Sequence, residues 1–280
     1  MDCREVGVLH PGSMGAAVAA QAAANGARVH WLPEGRGEAT RQRAEARGLR
    51  PAADLAALAG TCDLIISVCP PAAALDVARA VAATPFTGTY LDANAISPDH
   101  ARQVADLLGA GSAAVVDGGI VGSPPRQGGG TRLYLSGPEA AVESVRDLFD
   151  GTALTPIVLP GEVGQASALK LAFASYNKIS YILAAQACAL ADGNGVLDEL
   201  LELTAEALPC TPLGGPGRLL TAGPRAWRWG PEMDEIAQAC AAVGVSPELA
   251  RTAALLLDRW SVHKDDPKVT LDQLLADLRE

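Results

Sequence analysis

The stretch VGVLHPGSMG, from Val6 to Gly15, decides how the first half of the chain folds. It begins as an apolar run typical of a buried strand and passes through glycines into an alanine-rich stretch typical of a helix. Such a turn brings the backbone N–H groups of the first helical turn close to an incoming anion. The stretch therefore predicts a phosphate-binding turn after the first strand of a βαβ unit.

This turn departs from the G-x-G-x-x-G pattern at one position, because His10 stands where the first glycine is expected. Gly12 permits close approach of the backbone to a pyrophosphate, and Gly15 permits close packing of the helix on the strand. His10 and Pro11 must then form the tight turn with restricted backbone angles. A strand-to-helix connection that binds no ligand is the alternative, because G-x-x-G is a weak signal. The residues predicted to hold the cofactor here are His10, Pro11, Gly12, Ser13, Met14 and Gly15.

Apolar runs rich in valine and isoleucine alternate with alanine-rich helical stretches over the first half of the chain, as in βαβ units. The nearly continuous apolar character of the strands predicts a parallel sheet that is buried on both faces. Strands are predicted at 5–10, 27–32, 62–68, 88–94, 113–119, 131–137 and 155–160. Helices are predicted to begin near Ser13, Glu38, Pro71, Ser97 and Pro138.

The pattern changes after Pro160, where predicted strands disappear. Residues 164–193 contain no internal proline or glycine, which predicts one long helix. Further helices are predicted within 195–208, 230–244, 246–260 and 270–280. The sequence thus predicts an α/β, Rossmann-like doubly wound domain over residues 1–160 and an all-α domain over residues 161–280.

Composition excludes several classes of function. The formal net charge of −10 over 280 residues argues against a nucleic-acid partner, which needs a basic face. Six scattered cysteines lack the spacing of a disulfide framework or a metal site, so no bound metal is expected. The N-terminal residues do not resemble a signal peptide, and we find no apolar stretch of membrane length, so we expect a cytoplasmic protein with no membrane partner.

The residues after the second strand bear on which dinucleotide binds. Glu34 can accept a hydrogen bond from the ribose hydroxyl of NAD, whereas Arg36, Arg41 and Arg43 can bind the 2′-phosphate of NADP. Three guanidinium groups against one carboxylate favour NADP, with NAD possible. Arg41 and Arg43 also fit the solvated face of a helix, so Arg36 is the principal candidate.

The motifs GSMG, SVCPP, DANAISP, DGGIVGSPP and GQASALKLAFASYNK follow one another along the chain. Together they resemble the motifs of the β-hydroxyacid dehydrogenase family, which includes 3-hydroxyisobutyrate and 6-phosphogluconate dehydrogenases, and the resemblance spans essentially the whole chain. It is closest to a branch with a C-terminal domain of unknown function. It implies that NAD(P) oxidises or reduces a small hydroxyacid-type substrate, that a lysine of the long helix transfers the proton, and that two copies dimerise through this helix.

The resemblance assigns individual residues, with departures. It places Cys69, Pro70 and Asn94 at the cofactor, although Asn94 replaces a serine of the family. Ser123 falls in the family's substrate loop, where it replaces the last glycine, and Val121 replaces a serine.

Lys170 keeps the family's lysine, but Phe173 and Ala174 stand where the family has asparagines. These departures predict a substrate other than the family's usual one.

Lys170 is also a candidate for catalysis on its own chemistry. It interrupts the apolar run ASALKLAFA, and burial of an ammonium favours its neutral form and suits it to proton transfer. Asn177 lies two helical turns further along the same face and is a candidate to orient the substrate. The alternatives are a Lys170 head group that reaches water and an Asn177 that meets a partner subunit.

Two other functions stay open at this stage. Imine reduction is the enzymatic alternative, favoured by Val121, Phe173 and the aromatic segment AWRWG and opposed by the retained Lys170. Trp227 and Trp229 in that segment suit a lid or core better than a substrate platform. The non-enzymatic alternative is a sensor or scaffold that binds NADP without turnover.

Overall fold

A computed structural model describes residues 3–279, and within these residues eight strands form one sheet. The strands are β1 (Glu5–Val8), β2 (Arg28–Trp31), β3 (Arg50–Pro51), β4 (Leu64–Ser67), β5 (Thr89–Asp92), β6 (Ala114–Val121), β7 (Thr131–Ser136) and β8 (Leu154–Val158). Their order is β3-β2-β1-β4-β5-β6-β7-β8. Every neighbouring pair is parallel except β6 and β7, which form an antiparallel pair joined by a short loop. The predicted parallel sheet is therefore a mixed one.

Helices pack on the sheet because its central strands are apolar on both faces. Val6, Val8 and Ile65 are all fully buried. The helices of this part are α1 (Ser13–Ala24), α2 (Glu38–Glu45), α3 (Leu55–Thr61), α4 (Ala74–Ala82), α5 (Pro98–Gly109) and α6 (Glu139–Phe149). Seven strands and five of these helices match the predicted ones; β3 and α3 were not predicted.

The strand order fixes where a ligand can bind. β1 lies between β2 and β4. The chain runs from β1 to β2 and β3 on one side of the sheet and then crosses to β4 on the other side of β1. In open α/β sheets, this reversal opens a crevice at the carboxyl ends of the two central strands. The turn after β1 lies at this crevice.

The chain forms two compact units that divide between Lys170 and Leu171, inside the long helix α7 (Gln165–Gly193). Pro160, where the sequence predicts the domain boundary, lies in the loop between β8 and α7. The second unit continues with α8 (Leu197–Ala207), α9 (Gly217–Ala222), α10 (Gly230–Ala242), α11 (Glu248–Arg259) and α12 (Leu271–Ala276). Its core surrounds the fully buried Trp260, whose indole N–H donates to the Leu274 carbonyl at 3.0 Å. No helix in the described part of the chain is long and apolar enough to cross a membrane.

Candidate active site

The turn after β1 has the backbone geometry that its two glycines predict. A Cβ on Gly15 would collide with the carbonyl oxygen of His10, so only glycine fits where α1 packs on the strand. A Cβ on Gly12 would meet nothing within 4 Å, which leaves open space above this part of the backbone. Gly12 is the N-cap of α1, and no side chain caps the helix there. Its first N–H groups are therefore available to an anion.

Two buried nitrogen atoms near this turn make no hydrogen bond within residues 3–279. They are Nδ1 of His10 and Nε of Arg36, which belong to the turns after β1 and β2. Burial, together with a smaller contribution from the positive charge of Arg36, lowers the pKa of His10 to about 4. His10 is therefore neutral at pH 7 in this structure. A buried donor without a partner is costly, so the pair fits a site completed by an anionic ligand.

Arg41 has a different role from Arg36 in the turn after β2. Its Nη2 donates to the carbonyl of Pro33 at 3.1 Å and its Nε donates to the carbonyl of Arg36 at 3.2 Å. The Arg36 N–H also donates to the Pro33 carbonyl, at 3.1 Å. Arg41 thus holds the backbone of the turn that presents Arg36, while its own guanidinium is engaged with carbonyl groups.

Asn94 fixes the chain ends of two neighbouring strands, β4 and β5. Its Oδ1 accepts a hydrogen bond from the Cys69 N–H at 2.6 Å, and its Nδ2 donates to the Ser67 hydroxyl at 3.2 Å. Asn94 is buried, and its side chain shapes the loop that begins at Cys69 and Pro70.

Burial raises the pKa of two titratable groups beside Asn94, Cys69 and Asp92. Burial raises the pKa of the Cys69 thiol to about 12, which keeps the thiol protonated and unsuited to act as a nucleophile. Burial, with a smaller contribution from the charge of Asp117, raises the pKa of Asp92 to about 7. The Asp92 Oδ1 accepts the Asn94 N–H at 3.0 Å.

Asp117, in the middle of β6, holds the start of the long helix. Its Oδ2 accepts from the N–H groups of Gly164 and Ser167, both at 2.9 Å, and from the Ser136 hydroxyl at 3.1 Å. Its Oδ1 accepts from the Ser167 hydroxyl at 2.6 Å. The Ser136 oxygen in turn accepts the N–H of Ala166 at 3.0 Å. Asp117 therefore satisfies N–H groups at the start of α7 and binds that helix to the sheet.

Lys170 lies one turn further along α7 and is half-buried against β6. A Cβ on Gly119 would stand 2.7 Å from the Ala166 carbonyl oxygen and 3.1 Å from the Lys170 Cβ. A Cβ on Gly118 would meet the Asp92 carbonyl oxygen at 3.1 Å. Gly118 thus allows β5 to pack closely on β6, and Gly119 allows α7 to pack closely on β6 with the stem of Lys170 against the strand.

Ser123 begins the exposed loop between β6 and β7. Its carbonyl accepts a hydrogen bond from the Thr131 hydroxyl at 2.6 Å, which closes the base of the loop. Gly122 has a φ of +129°, a conformation in which a side chain would be strained. The structure therefore holds the backbone of Ser123 in place at this end of β6.

Asn177 lines a cavity of about 370 Å³ within the second unit. The cavity wall also includes the side chains of Tyr181, Thr211, Leu213 and Arg218. It combines apolar and aromatic surface with amide, hydroxyl and guanidinium groups, as small-molecule sites do.

The two tryptophans of AWRWG differ in position. Trp229 packs on Tyr181 with ring centroids 5.6 Å apart and lies 5.4 Å from the ammonium of Lys178, which forms an ion pair with Glu232. Trp227 is more exposed and lies under the ammonium of Lys264 at 4.0 Å. Trp229 is thus a packing residue inside the helical unit.

Comparison with known proteins identifies the family. Residues 5–159 match the model of the NAD binding domain of 6-phosphogluconate dehydrogenase, and residues 191–260 match a domain of unknown function, DUF1932. The first match covers more than half of the chain. The chain therefore belongs to this family of NAD(P)-binding, hydroxyacid-dehydrogenase-like oxidoreductases.

Individual relatives agree with this assignment. An uncharacterized 28.5 kDa protein of Methanothermus fervidus is 29% identical over 179 residues, which are 64% of this chain and 67% of that protein. A conserved protein of unknown function with structural similarity to 3-hydroxyacid dehydrogenases is 26% identical, with a TM-score of 0.68 over 92% of this chain and 98% of that one.

Two more distant structures share the fold. The 3-hydroxyisobutyrate dehydrogenase of Mycobacterium tuberculosis has a TM-score of 0.76 at 19% identity, and the match covers 100% of both chains. An imine reductase of Streptomyces aurantiacus has a TM-score of 0.62 at 18% identity, over 99% of this chain and 100% of that one. Both activities occur on this fold.

The site also contains residues that the sequence did not single out. Ser67, Asp92 and Asp117 each interrupt an apolar strand with a buried polar group. A polar side chain in such a strand was the available signal, because buried polar groups are hydrogen-bonded and so tie strands to other elements.

Proposed function

We propose that this protein is an NADP-dependent oxidoreductase acting on a small carbonyl or hydroxyacid-type substrate. The main support is the position of Lys170. Asp117 holds the start of its helix, and Gly119 lets its stem pack near the carboxyl ends of the parallel strands, where the glycine turn also lies. The family assignment supports a nicotinamide cofactor, which supplies a hydride to a carbonyl carbon or accepts one from an alcohol. The protein must supply the proton in reduction and remove it in oxidation.

Lys170 serves as the general acid in reduction and as the general base in oxidation. In reduction the ammonium gives a proton to the carbonyl oxygen as negative charge develops there, and the resulting neutral amine regains a proton from water. In oxidation the neutral amine takes the hydroxyl proton. We assign the orientation of the substrate to Ser123 and Asn177, the latter from the same helix two turns beyond the lysine.

The preference for NADP is supported by Arg36. Its Nε is buried without a hydrogen-bond partner in the described residues, and it follows β2, where this fold binds the adenosine ribose. The residues present fit a phosphorylated dinucleotide: the open space at Gly12, the uncapped start of α1 and the unpaired nitrogens of Arg36 and His10 all suit phosphate groups.

We further propose that the protein is a cytoplasmic homodimer. All six cysteines are free, as in a reducing compartment. The exposed side chains Phe173, Tyr176, Leu183 and Leu190 form a stripe on α7, here called the α7 stripe. An apolar stripe of this length on one helix suits a second copy of itself.

The test of the activity is turnover of purified protein with NADPH. The substrate panels are 3-oxo acids, aldehydes and cyclic imines, followed through the absorbance of the reduced cofactor. We expect oxidation of NADPH with carbonyl acids or aldehydes. Turnover of imines alone would transfer the assignment to imine reduction, and tight NADP binding without turnover of any panel would favour a sensor.

The matched variant is Lys170→Met, which removes the amine and keeps the length of the side chain. We expect a loss of roughly 10²-fold to 10⁴-fold in kcat, with the dissociation constant of NADP nearly unchanged. Lys178→Met is the control, because that lysine pairs with Glu232 inside the helical unit. Equal kcat in wild type and Lys170→Met would remove Lys170 from the chemistry.

A further inference from the structure

His10 occupies a position that bears no side chain in the G-x-G-x-x-G pattern, so its imidazole is an addition to the glycine turn. The ring is half-buried, and its Nδ1 is completely buried without a hydrogen-bond partner in residues 3–279. The backbone of His10 still forms the turn, since its carbonyl accepts the Gly12 N–H at 2.8 Å. The side chain is therefore additional to the turn and not needed to build it.

The unpaired nitrogen of His10 has a counterpart in the neighbouring turn. Arg36 Nε is likewise buried and unpaired within the described residues, and the Arg36 charge is close enough to act on the imidazole. β1 and β2 are paired side by side, which brings the turns that follow them together. Two unpaired nitrogens, one on a cation and one on a ring that can become a cation, define a site for a phosphate group.

We propose that His10 is a phosphate ligand of this protein, and that its imidazole takes up a proton on cofactor binding and donates from Nδ1 to the phosphate group that Arg36 binds. This inference rests on the proposed NADP dependence. The glycine that usually stands at this position has no side chain and could not make this contact to the phosphate.

His10 takes up a proton because the bound phosphate reverses the sign of the electrostatic potential at the imidazole. Without a ligand, burial and the Arg36 cation lower the pKa of His10 to about 4, so the ring is neutral. A phosphate dianion placed between the two side chains neutralises Arg36 and favours the imidazolium, so the pKa of His10 rises. At a pH between these two pKa values, binding takes up a proton, and the affinity rises as the pH falls.

Proton exchange by other titratable groups at these strand ends must be distinguished from that of His10. They are Glu34 in the same turn as Arg36, the Cys69 thiol after β4 and the Asp92 carboxyl at the end of β5. The pKa of the thiol is about 12 and that of Asp92 is about 7, so Asp92 is a second group able to exchange protons near neutrality. The ligand's own phosphate also titrates near pH 6. A variant of His10 alone distinguishes its proton from these.

The experiment is calorimetric titration of wild type and His10→Gln with NADP and with NAD, in two buffers of different ionisation enthalpy. Glutamine retains a polar side chain but cannot titrate. At about pH 6.5, we expect wild type to take up more protons than His10→Gln by on the order of half a proton or more. The affinity of His10→Gln should be roughly tenfold weaker at pH 6 and closer to wild type at pH 8.

The two cofactors show which phosphate is involved. A loss confined to NADP supports the proposal, because Arg36 is assigned to the 2′-phosphate. An equal loss for NAD would assign His10 to the pyrophosphate and overturn the proposal that it shares a phosphate with Arg36. His30→Gln is the matched control, because that imidazole pairs with Glu5 at 2.6 Å and should leave proton uptake unchanged. If His10→Gln is unfolded, His10→Gly replaces it, because glycine is the residue that this turn usually carries.

Equal affinity and equal proton uptake in wild type and the His10 variant would overturn the inference and leave the cofactor proposal standing. Failure of wild type to bind either dinucleotide would overturn both.

Discussion

Arg36 determines, in our proposal, which of the two dinucleotides binds. Arg36→Ala should weaken NADP by about 10-fold to 100-fold, because it removes a charge-assisted contact to the 2′-phosphate, and should change NAD binding little. Fluorescence titration with both reduced cofactors measures this.

Arg41→Ala is the matched control for Arg36, because Arg41 contacts only the carbonyls of Pro33 and Arg36 among the hydrogen bonds described for it. It should weaken both cofactors by a similar, smaller factor. Equal losses of NADP and NAD on replacing Arg36 would exclude it from the 2′-phosphate site.

The raised pKa of Asp92 predicts how the free energy of unfolding depends on pH. Burial raises its pKa in the folded protein to about 7, above the ordinary value of 3.8. Between these values the folded state binds one more proton than the unfolded state, so the free energy of unfolding falls as the pH rises through this window. We expect a contribution of at most about 1.4 kcal/mol per pH unit.

Urea unfolding of wild type and Asp92→Asn at a series of pH values isolates this contribution. The variant should lack the part of the slope that Asp92 supplies, so the difference in unfolding free energy should change steadily between about pH 4 and 7. A constant difference across this range would show that Asp92 is already ionised in the folded protein.

At the scale of elements, the junction of β6 and α7 connects stability to catalysis. Asp117→Asn removes the charge of a carboxylate that accepts four hydrogen bonds and replaces one of its two oxygens by an NH₂, which cannot accept any of them. We expect a loss of about 2 to 4 kcal/mol in the free energy of unfolding, because buried donors at the start of α7 lose their partner. Urea unfolding measures the loss, and faster amide exchange at the start of α7 should accompany it.

Asp99→Asn is the control for Asp117→Asn. Asp99 lies in the first turn of α5 in an exposed ion pair with Arg102, so its loss should cost less than about 1 kcal/mol. Similar losses in the two variants would show that the Asp117 network does not anchor α7.

The elements differ in how far the sequence could predict them. The strands and the glycine turn follow from local composition and period, so the sequence located β1 and α1 well. β3 is only Arg50–Pro51, an exposed pair with no apolar pattern, and α3 has seven residues, too few for a clear helical period. The antiparallel direction of β7 depends on its pairing with β6, which local patterns do not encode.

The candidate site was predictable where a single motif carries it and not where distant segments meet. The motif residues Gly12, Gly15 and Lys170 were identified from their neighbours in sequence. The partners of Asp117 are Ser136, Gly164 and Ser167, which lie 19, 47 and 50 residues away. Only the fold brings them together, so the sequence showed Asp117 merely as the start of a loop motif.

At the scale of the whole molecule, the α7 stripe predicts the state of assembly. Tyr176, Leu183 and Leu190 follow one another at intervals of seven residues and are 77%, 55% and 69% exposed. A seven-residue repeat keeps one face of a helix turned toward a partner helix, and a second copy supplies the same repeat. Beyond Leu190 the stripe continues into an apolar groove that α7 forms with α8. We therefore expect a homodimer whose contact centres on this helix.

The double variant Leu183→Glu, Leu190→Glu should convert the dimer into a monomer, because two carboxylates per chain would be buried against an apolar partner. Light scattering after size-exclusion chromatography measures the molar mass, with 28.6 kDa expected for one chain. Leu255→Glu is the matched control, since Leu255 is 73% exposed on α11 outside the stripe and its replacement should leave the dimer intact. A monomeric wild type, or dissociation of the control alone, would contradict assembly through α7. Circular dichroism of the monomeric variant should match that of wild type, because the replaced leucines are already exposed within the single chain.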